Sequence, residues 1–76
     1  MRFNYLITED SQEQVIASGA VSKKKYAIQT AIDMLPTASY MTITYYKGWL
    51  VKRYHEEEYY VLKNGTVSLH SHNVYK

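Results

Sequence analysis

The stretch YMTITYYKGWLVKRYHEEEYY, Tyr40 to Tyr60, decides how this chain is read. From Met41 to Tyr46 the residues alternate. Met41, Ile43 and Tyr45 fall on one side, and Thr42, Thr44 and Tyr46 on the other. That period of two predicts a strand. Gly48 marks the turn that follows. A two-residue loop, Lys47-Gly48, would force Lys47 to a positive φ, which is costly for a residue with a Cβ. A three-residue loop, Tyr46-Lys47-Gly48, needs only Gly48 in that region. It pairs Tyr45 with Trp49 and Ile43 with Val51. One face then collects Met41, Ile43, Tyr45, Trp49 and Val51, so the only tryptophan is expected in the core. Glu56-Glu57-Glu58 reads as an exposed corner, because three adjacent carboxylates repel one another and hold water.

Arg2 to Thr8 also alternates and reads as a strand. Gln14 to Ala20 reads as its antiparallel partner, joined by the polar run Glu9 to Glu13. Ser22 opens a helix as its cap. Ile28, Ala31, Ile32 and Leu35 recur at i, i+3, i+4 and i+7 and so share one face. Pro36 stops that helix, since the residue before a proline is pushed out of the helical region. Past the acidic corner, Tyr59–Leu62 and Thr66–His70 flank Asn64-Gly65, a two-residue hairpin signal. That turn would place Tyr60, Leu62, Val67 and Leu69 on one face. Ser71 to Lys76 is a polar tail expected to fray. The expected order is ββαββββ in one domain over residues 1–76. This is an α+β fold, a mostly antiparallel twisted sheet with one helix packed on one face.

Composition narrows the function. Almost half the residues are apolar, enough for a folded core. There is no cysteine, which excludes disulfides and zinc–thiolate sites and fits a reducing, cytoplasmic setting. No apolar run reaches the length of a membrane span, so no membrane partner is expected. A net charge of +2 disfavours mimicry of DNA and leaves nucleic acid open as a partner.

Lys23-Lys24-Lys25 is the sharpest local anomaly. Three cations in a first helical turn oppose the helix dipole and repel one another. They point to an anionic surface. The outer face of the long hairpin should carry Tyr40, Thr42, Thr44, Tyr46, Leu50, Lys52 and Tyr54, a composition suited to recognition. Lys23, Lys24, Lys25, Tyr46, Lys47, Lys52 and Tyr54 are therefore the expected partner-binding residues. KGWLVKRY, Lys47 to Tyr54, shares a first impression with the RNA-binding strand of RRM domains, but Leu50, Val51 and Lys52 break that pattern and one helix is missing. His70 and His72, with His55 or a glutamate, would make only an incomplete zinc set, so no metal is expected. No nucleophile–histidine motif and no glycine-rich phosphate loop is present. No catalytic residue, cofactor or enzymatic activity is expected.

With its N-terminal hairpin, Ser-capped helix and meander around YYKGWLVKRY, the chain resembles some small phage-encoded anti-CRISPR proteins directed at type I effector complexes. The likeness is one of layout across most of the chain and transfers no residue roles. It implies a stoichiometric inhibitor in the host cytoplasm that occludes a host protein or protein–nucleic acid complex. The second reading is a nucleic-acid-binding module using the same lysines and tyrosines.

Overall fold

Ten rungs of antiparallel pairing hold the centre of the molecule, between β3 (Ala38–Lys47) and β4 (Arg53–Leu62). The computed structural model describes residues 2–8, 15–34 and 38–75. Around the central pair lie β1 (Phe3–Thr8), β2 (Val15–Val21), β5 (Val67–Tyr75) and one helix, α1 (Lys24–Met34). The sheet order is β2-β1-β3-β4-β5, with every pairing antiparallel. The α+β class with one helix on one face of an antiparallel sheet is as expected. Among the described residues the strands number five, because the expected third and fourth strands meet in a different register and the expected corner is strand. The expected helix end at Leu35-Pro36 and the connection Glu9 to Glu13 lie outside the described residues.

The helix-side face takes Phe3, Tyr5 and Ile7 from β1, Met41, Ile43 and Tyr45 from β3, and Val61 from β4. Against these pack Ala27 and Ala31, with Ile28 and Ile32 beside them. Small residues on the buried stripe let the helix approach the sheet closely. At ~1.5 Å per residue the helix is about 16 Å long, so it covers only part of a ten-residue ladder.

Three features of the sequence reading change. First, Trp49 and Val51 are not core. They are 94% and 69% exposed, and Leu50 between them is 88% exposed. The last rung is Lys47 opposite Arg53, leaving a five-residue loop, residues 48–52. Gly48 takes φ 152 there, and a Cβ on it would fall 2.1 Å from the Val51 carbonyl oxygen. Tyr45 faces His55 and Ile43 faces Glu57. The slide relative to the expected register is even, so the alternation is unchanged while the partners differ. The observed register gains a longer ladder and the cross-strand pairs Tyr40–Tyr60 and Tyr46–Tyr54.

Second, Glu56-Glu57-Glu58 is not a corner but mid-strand, with Glu57 facing the helix and 4% exposed. Third, the β4–β5 turn has three residues. Leu62 N donates to Thr66 O, Gly65 sits at φ 95, and the Asn64 side chain accepts from Thr66 N at 2.9 Å. This odd slip reverses one side of the expected set. Val61, opposite Val67, is core, and Tyr60 and Leu62 face away from the helix. The expected fraying tail is strand through Tyr75, paired back to Tyr54.

Both registers bury Ile43, and they predict different costs at Trp49. Ile43→Ala is expected to lose about 2–5 kcal/mol of stability in chemical denaturation. Trp49→Ala should change it by less than about 0.5 kcal/mol. A large loss at Trp49 would restore the three-residue loop.

Candidate functional site

Glu57 is the most densely hydrogen-bonded side chain among the described residues. Its carboxylate takes both oxygens to the Lys24 ammonium, at 2.8 and 2.9 Å. The Tyr45 hydroxyl donates to Oε2 and the Tyr59 hydroxyl to Oε1. Lys24 Nζ also lies 3.4 Å from the Tyr45 hydroxyl and 4.7 Å from the centre of its ring. Burial alone would raise the Glu57 pKa. The hydrogen bonds from Lys24, Tyr45 and Tyr59 outweigh it and hold the carboxyl at about 2. Burial and the acceptor Glu57 raise the Tyr59 and Tyr45 hydroxyls. Burial would lower the Lys24 pKa, but its bonds to Glu57 and Tyr45 raise it.

A register shift in β5 brings His72 to the same centre. Tyr59 pairs with Leu69 but Glu58 with Ser71, so one residue is extra, and His72 then faces Glu57. His72 Nε2 is 3.6 Å from Glu57 Oε2 and 3.1 Å from His55 Nδ1, while His55 stacks on Tyr45 at 4.8 Å. Among the described residues, no group of three histidines and carboxylates is arranged to hold a metal. His70, two residues before His72, is exposed and takes no part in this centre.

Away from the helix the sheet is open. Its face carries Tyr40 against Tyr60, and Tyr46 against Tyr54 and then Tyr75, with ring centres 5.0, 5.1 and 6.0 Å apart. Between these ladders lie the rungs Thr42–Glu58 and Thr44–Glu56. Tyrosines thus bracket two carboxylates.

The expected binding residues are divided by the fold. Tyr46 and Tyr54 stand on the open face, as expected. Lys47 and Lys52 stand at the hairpin tip. Lys24 is withdrawn from the lysine run to pair with Glu57, so the three ammonium groups do not point the same way. Lys23 and Lys25 stay exposed at the helix start. Glu56, Glu58, Tyr60 and Tyr75 join the open face without having been singled out. Their signal was present in the acidic triplet, whose alternation puts Glu57 on one side and its neighbours on the other.

No family model matches the chain, and no curated protein or solved structure matches it. No described helix is long and apolar enough to cross a membrane.

The Glu57 centre fixes a pH window. Its depressed pKa contributes stability that is complete above about 4.5 and lost as pH falls toward about 2. Tyr45, Tyr59 and Lys24 contribute in the opposite sense, and their share is lost as pH rises past about 10. Thermal melts should therefore be flat between these limits and fall outside them. Lys24→Met should cost about 2 kcal/mol, less than a fully buried pair because Lys24 is 34% exposed. In a Glu57→Gln background the same change should cost clearly less, and equal costs would uncouple the pair.

Proposed function

We propose that this chain is a non-catalytic, protein-binding regulator that covers a basic surface of its partner with the open face of its sheet. The observation that carries this reading is the pattern on that face: the pair Tyr40 and Tyr60 and the row Tyr46, Tyr54 and Tyr75, on either side of Glu56 and Glu58. Tyrosine offers a large contact area at low entropy cost and keeps a polar tip. Its ring also receives cations, arginine above all. Carboxylates between such rings complement guanidinium and ammonium groups.

Surfaces dense in Arg and Lys are those that hold nucleic acid. A protein that handles nucleic acid is accordingly the partner class this face fits, and occlusion is the simplest way to inhibit it. The same carboxylates weigh against nucleic acid as the ligand of this face, since they would repel phosphate. Glu57 offers little to catalysis. All its hydrogen-bonding capacity toward the helix is engaged, and a carboxyl with a pKa of about 2 is a poor proton carrier near neutrality.

A photo-crosslinking side chain placed at Tyr60 tests the reading in the cells that naturally carry the protein. The expected result is a discrete adduct with a protein bearing a basic surface. It should vanish with Glu56→Lys/Glu58→Lys and be missing when the crosslinker sits at Gln29 on the outer helix. An adduct that survives the charge reversal, or no adduct from position 60, counts against this face.

A further inference from the structure

We propose that the tip of the β3–β4 hairpin inserts into the headgroup region of an anionic lipid bilayer. Trp49, Leu50 and Val51 are consecutive, apolar and exposed, beyond the last rung of the sheet. Isolated exposed apolar residues are ordinary, but three adjoining ones on a protruding loop form a patch that favours leaving water. The roots of the loop are cationic. Lys47 stands directly opposite Arg53, a like-charge cross-strand pair that destabilises the hairpin end, and Lys52 adds a third charge beside it. Among the described residues none of these cations forms an ion pair. A local rule broken without compensation in the folded chain calls for compensation from outside it.

Beneath the loop lies a cleft of about 690 Å³, lined by Arg2, Asn4, Tyr46, Lys47, Trp49 and Lys52. It holds three cations, two aromatic walls and no carboxylate. A lipid phosphate seated there would meet Arg2, Lys47 and Lys52, and by neutralising Lys47 would relieve its repulsion with Arg53, while the apolar tip reached the acyl boundary. Indole rings favour that boundary, and flanking Lys and Arg side chains sit naturally at phosphate level. Leu50 and Val51 decide the choice of occupant. Neither offers stacking or hydrogen bonds to a nucleotide, whereas both gain from entering a bilayer. The absence of a spanning segment does not bear on this, because interfacial attachment needs apolar area and charge rather than length.

The molecule supplies its own reporter, since Trp49 is the only tryptophan. Phosphatidylcholine vesicles with and without phosphatidylserine are the probe, followed by co-sedimentation and tryptophan emission at low salt. With phosphatidylserine, the protein should sediment and Trp49 emission should shift to the blue and be quenched by brominated acyl chains. Without it, partitioning should be weak. Lys52→Ala and Arg53→Ala should each weaken partitioning roughly fivefold. Leu50→Asp should weaken it roughly tenfold or more. All three residues lie outside the core, and unchanged circular dichroism verifies the fold. No sedimentation with anionic vesicles would overturn the proposal, as would sedimentation with unshifted Trp49 emission. A blue shift from a single-stranded oligonucleotide but not from vesicles would assign the tip to nucleic acid and overturn it equally. The open-face reading stands on other residues and survives or fails separately.

Discussion

A single buried carboxylate sets the arrangement of this protein. Glu57 sits in the middle of the sheet, on the side the helix covers, where an uncompensated charge would be prohibitive. Lys24 comes down from the first helical turn to neutralise it, and Tyr45 and Tyr59 saturate the remaining oxygen positions. The pair therefore ties the helix start to β4 across the sheet. It also accounts for part of the lysine run, since one of its three ammonium groups has an internal partner. No buried side-chain nitrogen or oxygen among the described residues lacks a hydrogen bond, so the cluster closes on itself. Such a closed network specifies one register more than it adds stability.

Once Glu57 points inward, the rest of the acidic triplet must point outward, because side chains alternate along a strand. Glu56 and Glu58 thereby reach the open face, between the tyrosine ladders. The cations of the hairpin are set apart from them. Lys47, Lys52 and Arg53 gather at the tip with Arg2 below, at the end of the sheet where the helix also begins with Lys23 and Lys25. A small net charge thus hides a division into an aromatic, acidic face and a basic, apolar-tipped end. The two surfaces differ in chemistry, and so do the ligands proposed for them.

The limits of sequence reading show in the two hairpins. The β3–β4 register slid by an even number of residues from the expected one. Period-two alternation is blind to such a slide, since every side chain keeps its face. Met41, Ile43 and Tyr45 were rightly placed toward the helix. Trp49 and Val51 were not, because they fall in the loop beyond the last rung, and Val61 from farther along β4 takes a place in the core. The β4–β5 turn slipped by one, where alternation should have helped. There Val61 and Leu62 are both apolar, and the pattern did not choose between them. Asn64-Gly65 was correctly marked as the turn, and Gly65 does take a positive φ, but two-residue and three-residue turns both use a glycine there.

The sequence by itself determined the α+β class, the helix, the alternation of β1, the inner face of β3 and the outer placing of Tyr40, Tyr46 and Tyr54. Each of these follows from local periodicity or from a residue that restricts the backbone, and neither depends on distant partners. Only the tertiary structure decided the fates of Glu57, Lys24 and Trp49. A carboxylate is a corner residue until a lysine thirty-three positions away makes it a core residue. A tryptophan is a core residue until the ladder ends two residues before it. Both outcomes rest on the global register, which balances the cost of burying one charged pair against the gain of a ten-rung ladder, and no short stretch of the chain carries that balance.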